Sequence, residues 1–394
     1  MFSAGFRPFF LLAGLWSAIA VPLWLCVLSG AAALPVALPP VVWHAHEMVF
    51  GFAFASVAGF LLTAIPNWTG RLPLRGAPLA ALVFLWLAGR AAVLMSAKIG
   101  AVPAALIDLS FPAALIAVVA REIIAGRNWR NVPMVVALSL LMAGSLLVHL
   151  HALGVAYLAE TGNRLGIATL AMLIALVGGR IVPSFTRNWL ARMRPLGAMP
   201  AQGTRFDIAA LAVTFAALAS WVAAPQGAAT PWLAIAAGAA LAGRLSRWCG
   251  LATLREPLLF VLHAGYGWLA AGLLLLGANG FLPLLPASVA VHALTVGAIG
   301  TMTLAVMTRA TLGHSGRPLS AGHGTIVIYA LVTLAAVLRL AVPLAGAGAM
   351  ALTWAAGAAW SAAFGLFVLL YGRPLTRPNR KVEGPLTQVK TIPE

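Results

Sequence analysis

The sequence predicts an all-α polytopic membrane protein of about twelve transmembrane helices with both termini cytoplasmic. Three observations carry this reading. The chain is 62% hydrophobic and 8% charged over 394 residues, with a mean hydropathy of +0.98, more apolar surface than a water-soluble fold of this length can hide. The apolar residues form long continuous runs, not the alternating ten-residue segments of a membrane barrel. The basic residues return at every second connection between runs, the bias that orients helices in a membrane.

A spanning helix needs about 20 apolar residues. Twelve runs meet that need, at residues 9–30, 42–65, 76–97, 101–121, 132–155, 164–185, 206–224, 231–249, 257–278, 286–308, 324–343 and 348–371. Span 1 follows Phe6-Arg7-Pro8-Phe9 and shows no small-residue cleavage site after a short core, so it reads as a retained helix. Span 2 opens in VVWHAHEMVFGF, which puts His44, His46 and Glu47 at its start. Spans 3 and 4 carry Arg90 and Asp108, and span 5 ends in His149 and His151. Span 6 has no histidine and closes on Gly179-Arg180. Spans 7, 8 and 12 are rich in Gly and Ala, and such faces let a membrane helix pack closely, against a second copy of the chain among other partners. Span 9 carries His263, span 10 His292 and span 11 Arg339. Connections are short, so residues 1–372 read as a single transmembrane helical domain. Residues 373–394 read as a basic, Pro-containing cytoplasmic tail without fixed structure.

The formal net charge is +17, which invites a nucleic-acid reading. Position argues against it. With the N-terminus inside, 21 of the 25 basic residues fall in cytoplasmic segments, and only Arg90, Lys98, Arg164 and Arg339 lie elsewhere. The charge is therefore a topology signal, and no nucleic-acid partner is expected. Cys26 and Cys249 are placed at opposite membrane faces, about 30 Å apart, too far for a disulfide, and no cysteine-based metal motif is present. A weak echo joins spans 2–3 to spans 10–11: His46 and His292 are each followed 24 residues later by Gly-Arg, at Arg71 and Arg317. Three sets of four helices would produce it.

Orientation assigns each polar residue a depth. His44, His46, His149, His151 and His292 share the outer third of the membrane, with His263 deeper and His314 at the inner loop. Neutral imidazole is the commonest metal ligand in proteins, and haem iron takes one or two, so five at one level point to a metal or haem site. His44 and His46 are two residues apart, about 200° around a helix, and face opposite sides. They suit two sites flanking span 2, and His149 and His151 repeat the spacing. The plainer alternative is one ligand and one bystander in each pair. Arg90 and Asp108 share a depth at which an unpaired charge is costly, so they are expected to pair. Arg90 and Arg339 equally suit the propionates of a haem. Glu47 can orient an imidazole, relay protons, or lie at the interface without a chemical role. Glu122, Glu160, Asp207 and Glu256 read as solvated residues at helix ends, with Asp207 and Glu256 facing helix N-termini.

WHAHEMVFGF (43–52), AGFLLTAIPNWTGR (58–71), LWLAGR (85–90), GGRIVPSFTRN (178–188), HALTVGAIG (292–300) and MTRATLGHSGRP (307–318) together resemble the NnrS family, from Phe6 to about Tyr371. The resemblance implies a bacterial inner-membrane haem- and copper-containing protein associated with nitric oxide and nitrosative stress. His44, His46, His292, His314, Arg90, Arg180 and Arg309 lie within these motifs, and His149 is retained on depth alone. The outline also looks similar to haem–copper oxidases, but spans 6 and 7 supply no histidine, which argues against an oxidase-type centre.

The leading expectation is a haem protein, b-type, with copper as a second candidate cofactor, that binds, senses or turns over nitric oxide or protects against nitrosative stress. An oxidoreductase activity on nitric oxide is one form this could take; the sequence names no redox partner. His44, His46 and His292 are the axial-ligand candidates, His149 and His151 the candidates for copper or a second haem, and Arg90 and Arg339 the propionate partners. Glu47, Asp108, His263, His314, Arg180 and Arg309 form a second tier. The alternatives are a secondary transporter of a metal, haem or small nitrogen species, and an assembly subunit of a respiratory complex.

Overall fold

A computed structural model describes residues 1–193, 197–282 and 285–377. The described residues are almost entirely helical and contain no strand. Twelve long helices follow one another: α1 (Phe6–Leu28), α2 (Pro40–Thr69), α3 (Ala77–Leu94), α4 (Ala101–Ala125), α5 (Trp129–Ala152) and α6 (Ala159–Met193), then α7 (Arg205–Ala223), α8 (Ala229–Ser246), α9 (Pro257–Asn279), α10 (Ala287–His314), α11 (His323–Ala341) and α12 (Ala349–Thr376). Eleven are long and apolar enough to cross a membrane. The exception is α8, whose 18 residues include Arg244 near one end; it packs between α7 and α9. The protein is a multi-pass membrane protein.

Local chemistry explains where the helices start and stop. Pro40 opens α2 at a position where its missing N–H costs nothing. Gly70 closes it in the left-handed conformation, at φ 69°, donating its N–H to Pro66 O. Thr204 and Asp207 cap α7 reciprocally: the Thr204 hydroxyl accepts from Asp207 N, and the Asp207 carboxylate accepts from Thr204 N at 2.8 Å. The long helices α6 and α10 overrun the apolar runs that predict them: the last turns of α6 are amphipathic, and those of α10 carry the polar Arg309, Thr311 and His314.

Each helix packs on its neighbours in sequence, and α1 lies along α12, closing the series. The Arg7 guanidinium at the start of α1 donates to Pro374 O and Leu375 O at 3.0 and 3.2 Å, and to Arg377 O. Both ends of the helical body are therefore on one side. The basic tail read over 373–394 begins inside α12, and from residue 378 onward it lies outside the described residues.

Three helices contain stretches of wide, π-helical turn: Glu47–Ala53 in α2, Ile174–Gly178 in α6 and Ala293–Gly300 in α10. They are four helices apart, and they touch one another. They are also among the most buried: 72% of the apolar window of α2 and 67% of that of α10 are buried, against 33% for α7 or α11. Each unit of four helices thus sends its second helix to the centre, the arrangement anticipated by the echo between spans 2–3 and 10–11. The wide turns themselves leave no compositional trace in the sequence.

Candidate functional site

The start of α2, at the end of the bundle away from Arg7 and Arg377, carries two clusters on opposite sides of the helix. The divergence follows from the two-residue spacing of His44 and His46.

On one side the His46 ring turns toward α4 and α5. Its Nε2 lies 3.1 Å from Ser145 Oγ and 3.4 Å from Asp108 Oδ2, and its Nδ1 lies 3.1 Å from Glu47 Oε1. His149 Nε2 reaches the same Asp108 Oδ2 at 2.9 Å, and Ser145 Oγ donates to it at 3.2 Å. Ser145 and His149 are one turn apart, so α5 presents both to Asp108. Arg90, from α3, donates to Glu47 Oε1 at 2.6 Å and to Asp108 Oδ1. All of these groups are buried, His46 and Glu47 completely. Among the described residues, His46, Asp108 and His149 form a group whose ligand atoms all lie within 4.8 Å of one another.

Two glycines make the room. A Cβ on Gly51 would stand 2.8 Å from Arg90 Nη1 and 3.1 Å from Glu47 Oε2, and one on Gly89 would stand 2.8 Å from Asp108 Oδ1. In the wide turn at Glu47–Ala53 the Gly51 carbonyl accepts from Phe54 N and also, at 3.1 Å, from the Trp86 indole.

The charge balance of this cluster is informative. Glu47 and Asp108 bring two negative charges and Arg90 one positive. With neutral imidazoles the buried cluster carries a net charge of −1, costly in an apolar interior. One more positive charge balances it, as a proton on an imidazole or as a monovalent cation such as copper(I) held by the two imidazoles and Asp108; a divalent ion would carry the cluster to +1. Two nitrogens and a carboxylate oxygen are a donor set that suits zinc or copper.

On the other side His44 stacks on Trp24 of α1, with ring centroids 4.9 Å apart and planes 15° from parallel. The ionisable groups that act on it are His292 of α10 and Arg339 of α11. His292 Nδ1 donates to Ser288 O at 2.7 Å. A carbonyl only accepts, so the proton is on Nδ1 and the Nε2 lone pair of the neutral ring is left to bind a metal. His44 Nδ1 is buried with no hydrogen-bond partner. Arg339 is half-buried and makes no hydrogen bond or ion pair among the described residues. Two imidazoles with ligating nitrogens and an arginine without a counter-anion fit the axial ligands and one propionate of a haem.

The remaining candidates lie elsewhere. His151 is one helical turn beyond Val148 and packs near Tyr157, 6.0 Å between rings, with its Nδ1 buried and unpaired; it joins neither cluster. His263 is held by Leu259 O at 3.1 Å and Thr186 Oγ1 at 3.3 Å, between α9 and α6. His314 packs on Phe6 at the termini end, Arg309 lies over the Phe185 ring at 4.4 Å, and Arg180 is exposed.

Sequence reasoning missed two features. Ser145 completes the His46 cluster, and its trace was a lone hydroxyl one turn before His149 in an apolar helix. Asp207, read as a solvated end residue, is buried. It accepts from Arg244 Nε at 3.0 Å, and Arg244 also donates to Tyr266 Oη and to Ala175 O, a carbonyl of the wide turn in α6. Charge statistics alone counted Arg244 with the loops; its burial depends on how α6, α7, α8 and α9 meet.

The family model for NnrS protein matches residues 1–379 of the chain, nearly its whole length. No curated protein matches it. The chain belongs to the NnrS family.

Proposed function

We propose that this member of the NnrS family, which at family level is a membrane protein related to nitric oxide and nitrosative stress, holds a b-type haem between His44 and His292 near the periplasmic face of the inner membrane. There it binds, senses or turns over nitric oxide, or protects against nitrosative stress. The observation that carries this reading is a His44 ring nitrogen buried without a hydrogen-bond partner, within electrostatic reach of a tautomer-locked His292 and of Arg339, which makes no ion pair among the described residues. The inner-membrane location rests on family membership and on the eleven apolar spans.

The haem would supply an iron centre for which nitric oxide is a ligand. The chain's own residues do the rest. Ser288 holds the His292 ring in the tautomer that leaves Nε2 free. Trp24 fixes the plane of His44 by stacking. Arg339 offers its guanidinium fork to a propionate. Across α2, the Glu47–Arg90–Asp108 ion pairs tie the start of the helix to α3 and α4, so that His44 stays at a set height. The His46–Asp108–His149 group supports copper as a second bound metal, because two nitrogens and a carboxylate oxygen suit it and copper(I) would bring the single positive charge the cluster lacks.

The transporter reading draws on weak repeats and buried charge; α2, α6 and α10 run on through their wide turns without the breaks that would favour it. The test is the optical spectrum of the detergent-purified protein, oxidised and dithionite-reduced, with and without nitric oxide. A stoichiometric Soret band that shifts with nitric oxide and is lost in the His44→Ala/His292→Ala double variant is expected. A colourless protein after expression with ample haem overturns the proposal and returns the transporter reading to first place.

A further inference from the structure

Where α2, α6 and α10 meet, about 10 Å inward of His46 and His292 at 1.5 Å per residue, the structure leaves an apolar pocket of about 110 Å³ that opens partly at the side of the bundle. Its walls include Ala53, Val177 and Ile299, one residue from each of the three wide-turn stretches. An α-helix kept at regular pitch would bring the next side chains into this space; the extra residue per turn moves them aside. Of the lining groups only Ser56 and Thr303 carry hydroxyls, and Ser56 already donates to Phe52 O at 3.2 Å and to the Met307 sulfur at 3.8 Å. The rest of the lining is hydrocarbon, aromatic or thioether.

These features select the occupant. A buried water needs two to four polar partners, and this wall offers one uncommitted hydroxyl, so the cavity is dry. An apolar cavity of about 150 Å³ holds benzene or xenon, so the recess here has room for a molecule of a few heavy atoms. We propose that the cavity is a docking site for a neutral diatomic gas, entering from the hydrocarbon phase in which such gases concentrate. Its identification as nitric oxide rests on the function proposed above; the site itself does not. It would put the ligand in store on the axis of the bundle, within two to three helical turns of both histidine clusters.

Xenon is the probe, applied to the full chain in lipid nanodiscs and followed by saturation of the ¹²⁹Xe resonance. One saturable site is expected in the parent protein. Val177→Phe fills the space and lowers xenon affinity at least about tenfold. Met307→Ala enlarges it and keeps or raises uptake, so loss in Val177→Phe alone reports filling and not misfolding. Absence of saturable uptake in the parent protein, equal uptake in Val177→Phe, loss in both variants, or a lipid chain located in the cavity each overturns the proposal. The measurement needs neither haem nor nitric oxide. A colourless protein that takes up xenon therefore refutes the haem reading and leaves the gas site standing, and a haem protein without xenon uptake does the reverse.

Discussion

Four side chains, Arg90, Ser145, His46 and His149, meet the two oxygens of Asp108. Removing it leaves Arg90 half-compensated and two imidazoles without their shared partner, in a site closed to water. Asp108→Ala is expected to destabilise by about 3–5 kcal/mol, read as faster thermal inactivation in detergent, whereas Asp108→Asn keeps the shape and loses less. The pair of carboxylates shows the sign of the charge argument. Glu47→Gln removes the excess negative charge, so it should lower the copper content of the purified protein if a cation completes the cluster, and leave it unchanged if a proton does. Elemental analysis distinguishes the two. On the other side of α2, Arg339→Gln is expected to weaken haem retention by roughly tenfold to a hundredfold, the worth of about 1.5–3 kcal/mol for a charge-assisted hydrogen bond, without moving the Soret maximum as loss of His292 would.

The helices are where the sequence reading was most and least complete. Their number and spacing follow from apolar length, and the divergence of His44 and His46 follows from 100° per residue, so both were legible. The wide turns of α2, α6 and α10 were not, because a π-turn differs from an α-turn by one residue of register and demands no residue type. What the sequence does carry is room for the cluster: Gly51 in α2 and Gly89 in α3 are small because Arg90, Glu47 and Asp108 fill the volume a side chain would take. Gly51→Val or Gly89→Val should therefore act as ligand-cluster variants, costing about 1–3 kcal/mol by overpacking and loosening the Arg90 pairs, while Gly365→Ala on α12, where a Cβ would meet nothing, should be neutral in the same thermal assay. The same logic applies to Gly144 and Gly162, whose Cβ positions fall 2.8 and 2.5 Å from each other's carbonyl oxygens; they let α5 approach α6 closely enough to hold Ser145 and His149 in place.

At the scale of the whole molecule, α1 and α12 close the series of helices through Arg7, which brings the two ends of the helical body together. Reporter fusions at the N-terminus and after Arg377 should accordingly register on the same side of the membrane, and by the distribution of basic residues that side is the cytoplasm; opposite sides would contradict the closure. The sequence by itself determined that the chain spans a membrane many times and that its second helix turns His44 and His46 to opposite sides. Those properties depend on composition and the angular pitch of a single helix, both local. Only the tertiary structure decided that His46 meets Asp108 and His149, that His44 stacks on Trp24, that Arg90 is committed to Glu47 and Asp108, and that an apolar pocket lies between α2, α6 and α10. Each of these depends on how far one helix is rotated against another. In this bundle that rotation is set by three turns of wider pitch and by glycine contacts between helices distant in sequence, neither of which the order of residues along one helix reveals.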